Sequence, residues 1–444
     1  MNRTPALSRR CLVLGLTAGA PAAVLVTACG GAGETGAPKP ASAPVTITYM
    51  SNLPETHPEG DARLKNLAEF NATNTQKITV NVEEGKAVSS ETKLKSLAAG
   101  GTPPDLFYTA YYFVAEFLAA GMTIDLDAEL KGDKEWGKQR ADIFPAMIES
   151  SLWTGKLAGM PGYTNNQGVI YNTGLLQQAG VAPPKQGWTW NDFKQMASRF
   201  VRPDVISYSN AWSTYGHYLR TAGGLLISKD ARKMQVDTPE MLEVMEHFLD
   251  LLNSRIMQPN ADGKAGLSET YRSAKNDTVF ESQGPYRIPT LRQVNAPDFG
   301  VIHIPVHPQK KAIAASNGGH SMIVFKDVPV ERRAASAQVA KWMNAPHAQA
   351  QMCIKATSIP VSKAAMESKE LQEYLKTDLP FKGFVDLAPF GWRWPPLPSY
   401  GKIIPAIQTN LDAIMRKEQG IKAALSNAQR EAQLILDEDV KLMK

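Results

Sequence analysis

Trp153-Thr154-Gly155-Lys156-Leu157-Ala158-Gly159-Met160-Pro161-Gly162-Tyr163, with Asn165-Asn166-Gln167-Gly168-Val169-Ile170-Tyr171-Asn172 just behind it, is the stretch that decides the fold. It holds a short turn at Gly155, a Gly-Met-Pro-Gly break, a polar pair and an apolar strand, Val169-Ile170-Tyr171. Gly and Pro permit a close backbone approach and a sharp change of direction. Such a segment can leave one compact lobe and enter another. Any strand-loop-strand of an α/β protein can look the same, so the rest of the chain has to decide.

Upstream, Val45-Thr46-Ile47-Thr48-Tyr49 and Ile78-Thr79-Val80-Asn81-Val82 alternate with period two, as strands do. Between them Leu64, Leu67, Ala68 and Asn71 keep helical spacing, with Phe70 beside them. Thr92 to Ala99 predicts a short helix ended by Gly100-Gly101, and Asp105-Leu106-Phe107-Tyr108 a short buried strand. The order β-α-β-α-β implies a parallel sheet covered on both sides. Ligands of such sheets gather at the carboxyl ends of the strands, so the loops after Tyr49 and Tyr108 are candidates. Downstream, Trp190 to Phe200 reads as a helix entered through Thr189. Thr238-Pro239 caps another, whose apolar face is Leu242, Met245, Phe248, Leu249 and Leu252. Val301 to Ile304 and Ser321 to Phe325 read as strands, Glu331 to Met343 as a helix, and Ser358-Ile359-Pro360-Val361 as a further crossing. The C-terminal Ile421, Leu425, Ala428, Ala432 and Ile435 keep helical spacing.

The pattern Gly-x-Leu-x-Gly-x-Pro, then Ile-Tyr-Asn, then Leu-Leu-x-x-Ala-Gly-Val-x-x-Pro resembles the crossover of bacterial extracellular solute-binding proteins of the carbohydrate-binding class. These are maltose-binding-protein-like receptors of ABC importers. The resemblance runs from Val45 to about Lys444. It takes in Pro104 to Phe107, Ala120-Gly121-Met122, Gly284-Pro285-Tyr286, Asn317-Gly318-Gly319 and the closing Ala424 to Gln429. It implies an α/β periplasmic-binding fold: two α/β lobes joined by a hinge, with a ligand cleft between them. The expected division is an N-terminal lobe of 45–163 and 305–357 and a C-terminal lobe of 164–304 and 358–444. The implied partners are a small carbohydrate and the permease subunits, with the protein working as a monomer.

The N-terminus reads differently. Arg3, Arg9 and Arg10 precede an uncharged apolar run from Cys11 to Val26, then Val26-Thr27-Ala28-Cys29. This is the pattern of a signal peptide, residues 1–28. Its end resembles a lipobox, which implies cleavage before Cys29 and lipidation of its thiol. Ser8-Arg9-Arg10 also matches a twin-arginine signal, and ordinary Sec export stays open. Residues 29–44, built mostly of Gly, Ala, Pro, Ser and Thr, read as a flexible tether. The expected address is the outer face of the cell membrane, or the periplasm if an outer membrane exists.

Removing residues 1–28 takes away three arginines and no acid, so the net charge falls from +5 to +2. That gives no reason to expect nucleic acid as a partner. Of the three cysteines, Cys11 and Cys29 lie in the export segment. Cys353 is left alone, so no internal disulfide is expected, and it reads as a small buried hydrophobe.

Sugars are held by stacking their apolar faces on aromatics while polar side chains take the hydroxyls. Asn52 follows the first strand, and Tyr111-Tyr112 follows the strand ending at Tyr108, where the resemblance places polar ligand contacts. Asn165 and Asn166 precede the crossover strand, and Trp212, Tyr215 and His217 crowd the loop before Gly223-Gly224. Tyr286 stands where the family commonly has a stacking tryptophan, although the usual lead-in is degraded here to Ser273 to Phe280. Trp392-Arg393-Trp394 is a dense cluster in a Pro-rich loop. Each aromatic serves equally well as core, the favoured reading for Trp188 and Trp190. Arg287 and Arg393 could meet an anionic ligand, such as a uronate or glycerophosphate, or could be structural.

His303 and His307 are spaced like metal ligands, but Pro305 lies between them and no third ligand is near, so no metal or cofactor is expected. Gly-x-Ser-x-Gly, His-Glu-x-x-His and Gly-x-x-x-x-Gly-Lys are all absent. Ser90-Glu91-Thr92-Lys93 matches Ser-x-x-Lys without its companion motifs. A non-enzymatic receptor for a neutral sugar is the expectation. The alternatives are a secreted, lipid-anchored carbohydrate-active enzyme, a surface-binding adhesin, and a receptor for a non-sugar or anionic solute.

Overall fold

A computed structural model describes residues 43–83, 91–210, 214–257, 277–293 and 299–443. Cys29, Trp212, Ser90 and the Ser273–Asn276 part of the lead-in lie outside the described residues.

Among the described residues twelve strands form: β1 (Val45–Ser51), β2 (Ile78–Val82), β3 (Leu106–Ala110), β4 (Leu152–Trp153), β5 (Lys156–Leu157), β6 (Met160–Asn166), β7 (Gly168–Asn172), β8 (Ile206–Ser209), β9 (Thr278–Gln283), β10 (Phe299–Ile302), β11 (Ala315–Val324) and β12 (Gly391–Trp392). The first sheet runs β12-β11-β3-β1-β2, with β6 on β11 as well. β1 lies parallel to β2 and β3, as the opening pattern predicts. β11 comes back antiparallel to both β3 and β6. The second sheet runs β10-β7-β9-β8, so the protein has two α/β lobes.

Period two sorts the first sheet's side chains. Ile47, Tyr49, Leu106, Tyr108, Met322 and Val324 face one way, onto Leu67, Phe70 and Trp136. Met50, Phe107 and Ile323 face the other, onto Leu94, Val114 and Phe117. Both faces are covered, as parallel strands require. The second sheet buries Val169, Tyr208 and Phe280 against Trp188, Trp190, Phe193, Phe248 and the C-terminal helices Tyr400–Met415 and Ile421–Leu442. Trp188 and Trp190 are core, and Cys353 is a buried free thiol.

Local signals start the helices where expected. Thr189 and Asp192 form a reciprocal capping box before the helix Trp190–Ala197. Thr238 caps the helix Pro239–Asn253, with Pro239 at its first turn. Two helix faces differ from the expectation. The helix Pro58–Thr73 buries Glu59, Ala62, Arg63, Asn66, Leu67 and Phe70, while Ala68 and Asn71 are exposed. The helix Pro239–Asn253 buries Met241, Val244, Met245, Phe248 and Leu251, leaving Leu242, Leu249 and Leu252 half-buried. In the first of these helices polar residues share the buried stripe, so counting only apolar residues rotates the face.

Asn317-Gly318-Gly319 lies inside β11. At Gly319 φ is +121°, and a Cβ there would stand 2.2 Å from the Tyr163 carbonyl oxygen, so this strand pair needs glycine.

Candidate functional site

β1, β2, β3 and β6 run in one direction, and their carboxyl ends carry the candidate residues. At the end of β3, Tyr111 is buried and Tyr112 half-buried. The Tyr111 ring lies under the Arg393 guanidinium at 4.4 Å, and its hydroxyl accepts from the Trp394 backbone N–H at 3.2 Å. Tyr112 stacks on Tyr400, ring centroids 4.4 Å apart. Arg393 also donates to Ser150 Oγ at 3.0 Å and to the Gly318 carbonyl at 2.8 Å. Burial pulls its pKa down to about 10, against the Tyr111 and Tyr163 hydroxyls, which raise it. Arg393 thus adds a side-chain tie to the backbone pairing of β12 with β11.

Trp392, half-buried, lies 6.0 Å from Trp394 and 6.1 Å from His217, with the Arg220 guanidinium 5.3 Å from its ring. Trp392, Arg393 and Trp394 line a cavity of about 230 Å³ with Gly216, Arg220 and Leu226. The structure therefore brings Tyr111, Tyr112, Trp392 and Trp394 together. Trp394 and Tyr215 are packed into the core of the second lobe.

The other candidates stand apart from that group. Asn166 is buried and donates to the Phe384 carbonyl at 3.0 Å, while Asn165 is half-buried opposite Gly318. Tyr286 is half-buried and donates to Gln283 Oε1 at 2.9 Å. Arg287 is buried with Glu281, its Nε 3.1 Å from both carboxylate oxygens, so its charge is neutralised internally. His303 Nε2 accepts from the Gly187 N–H at 2.8 Å, and His307 Nε2 meets Glu243 at 3.0 Å. Among the described residues, no three His, Cys, Asp or Glu side chains form a metal-binding group.

A second polar centre was not legible in the apolar pattern. Under the carboxyl ends of β1, β3 and β6, the buried Glu59, Arg63, Tyr108 and Tyr163 form one cluster with the half-buried His320. Tyr163 Oη donates to Glu59 and lies 2.6 Å from His320 Nδ1. His320 stacks on Tyr108 at 5.3 Å and meets Asn52 Nδ2 at 3.4 Å. Burial raises the Glu59 carboxyl to about 7, against the Tyr163 bond and the Arg63 charge, which lower it. Burial, helped by Arg63, His57 and Arg393, holds His320 well below the usual histidine value. Beside the cluster, Tyr49, Ser51, Leu53, Pro54, Glu55, Arg63 and Glu83 line a cavity of about 290 Å³. Gly60 lets the loop cross the helix: a Cβ there would stand 2.0 Å from the Pro54 carbonyl oxygen. The available signal was spacing, since 59, 63, 66, 67 and 70 make one helical stripe whatever their polarity.

A larger cavity, about 810 Å³, lies between Phe144–Met147, Ile359–Pro360 and the segment Met366–Gly391.

The family model for bacterial extracellular solute-binding proteins matches residues 65–377. A probable ABC transporter-binding protein of Deinococcus radiodurans is 23% identical over 248 residues, 51% of this chain and 57% of that one. The chain spans about half the length of the curated relatives it matches. An ABC substrate-binding protein of Listeria monocytogenes, solved with cycloalternan, superposes with a TM-score of 0.76 at 20% identity, covering 89% of this chain and 100% of that one. A Mycobacterium tuberculosis protein solved with glycerophosphocholine gives 0.75 at 16% identity, covering 90% and 100%.

Proposed function

The chain belongs to the bacterial extracellular solute-binding protein family, and from that premise we propose that it is an extracytoplasmic receptor of an ABC importer. It takes a sugar between its two lobes and delivers it to the membrane permease. The observation that carries this reading is the meeting of Tyr111, Tyr112, Trp392 and Trp394 at the carboxyl end of β3. Aromatic faces and hydrogen-bonding groups converge there, the pairing that sugar rings require.

We propose crossings between the lobes at β6–β7, between β10 and β11, and near Ile359, which meets Thr164 across a bridge. Asn52, Asn165, Asn166, Trp212, Tyr215, Tyr286 and Arg287 remain proposed contributors to binding. Residues 1–28 are proposed as the export signal and Cys29 as the lipid attachment point, with 29–44 as tether. The receptor acts as a monomer and returns its ligand unchanged.

Thermal-shift screening of the full chain against sugars, amino acids and metal ions tests the reading. A true ligand at 100 times its Kd adds roughly 2.7 kcal/mol of stability. Stabilisation by sugars but not by amino acids or metals is expected. Stabilisation by no sugar contradicts the proposal.

A further inference from the structure

We propose that the cavity at the carboxyl ends of β1 and β2 receives the acidic end of a sugar acid, with the buried Arg63 guanidinium as its receptor. This rests on the receptor reading above and specifies the class of ligand that the first lobe prefers.

Arg63 lines this cavity, yet it is only 2% exposed. Among the described residues its Nε and Nη1 have no hydrogen-bond partner and it makes no ion pair. The contact that holds it is the Tyr108 ring, 4.1 Å below the guanidinium. Such a contact supports a charge from one face and leaves the N–H groups at the edge unused. The acid of the same cluster, Glu59, is turned to the Tyr163 hydroxyl instead. Unused N–H groups on a buried cation carry a desolvation cost that an incoming anion can offset. A carboxylate matches the planar fork of a guanidinium in both geometry and charge.

The rest of the lining narrows the choice. At about 290 Å³ the cavity is at the small end of ligand sites, suited to one sugar ring. Tyr49, Leu53, Pro54 and Leu64 offer apolar surface to a ring face. Glu55 is exposed and Glu83, half-buried, is already partnered, but a carboxylate has several acceptor positions and can take further hydroxyls. A sugar acid presents its carboxylate inward to Arg63 and its hydroxyls outward to Glu55 and Glu83. A phosphate ester would bring a larger negative charge past those two acids.

Calorimetry on the full chain with D-galacturonate, D-glucuronate, D-galactose, D-glucose and glucose 6-phosphate tests the assignment. The uronates are expected to bind at least about tenfold tighter than their neutral counterparts and than the phosphate ester. Arg63→Met is expected to lower uronate affinity at least about thirtyfold with unfolding temperature retained, and Arg63→Lys to recover part of it. Neutral sugars or the phosphate ester binding as tightly as the uronates would overturn the inference, as would undiminished uronate binding in Arg63→Met. If Arg63→Met does not fold, the wild-type ratio of galacturonate to galactose decides alone. Neutral sugars binding while acids do not sinks this inference and leaves the receptor reading standing. Binding of neither class overturns this inference, and the broader sugar screen then decides the receptor reading.

Discussion

Glu59→Gln should flatten one component of the pH dependence of folding. Glu59 is 3% exposed and accepts the Tyr163 hydroxyl. Burial lifts its carboxyl from 4.5 to about 7, and the Tyr163 bond and Arg63 only partly oppose that. Its folded value thus lies above its unfolded value, so between pH 4.5 and 7 the folded state keeps a proton that the unfolded state has released. Stability therefore falls as pH rises through that window. Each pH unit of displacement is worth about 1.4 kcal/mol, so the loss is about 3 kcal/mol by pH 8. Gln mimics the protonated acid and does not titrate. His57, His247, His303 and His320 are all held below the usual histidine value, chiefly by burial. They act with the opposite sign, costing stability as pH drops below 6.5, and both proteins share them. Urea unfolding of wild type and variant from pH 4.5 to 8 isolates Glu59 by difference. The wild type should lose about 3 kcal/mol relative to the variant across the series. Parallel profiles would refute the buried, proton-holding Glu59.

Three further outcomes are expected. Tyr286→Ala should cost about thirtyfold in sugar affinity by calorimetry, as loss of an aromatic anchor does, with folding intact. A fall in stability without a change in affinity makes Tyr286 a packing residue, with Trp212 or Trp392 next as the platform. Arg393→Met removes the charged donor shared by Ser150 and Gly318 and the cover over Tyr111. It should lower stability by about 2 kcal/mol in chemical unfolding, and an unchanged midpoint contradicts a stabilising role for that side chain. Cys29→Ser should release the protein from membranes or leave its precursor uncleaved, and unchanged membrane association in cell fractionation contradicts the anchor.

The parallel opening β1-β2-β3 was legible because alternation at Val45–Tyr49 and Ile78–Val82 is local. Gly159, Pro161 and Gly162 read as a break, yet Pro161 and Gly162 lie inside β6, which stays paired with β11 as far as Asn166. The antiparallel return of β11 was only half visible. Asn317-Gly318-Gly319 has loop composition, yet Gly319 serves a close approach of two paired strands. The site was legible one residue at a time, and the grouping was not. Tyr111, Arg393 and Trp394 are neighbours only through the paired register of β3, β11 and β12. Arg63 escaped because a charged residue on a helix ordinarily faces water, and here its stripe continues Leu67 and Phe70 into the interior.

Solution X-ray scattering of the full chain, with and without the sugar or sugar acid that stabilises it most, asks whether the two lobes close on a ligand. A receptor that closes its lobes around a ligand shrinks in radius of gyration, because closure is driven by the ligand's higher affinity for the closed form. A smaller radius is expected at saturating ligand, and the larger one again after dialysis. A saturated protein whose radius does not change would contradict closure.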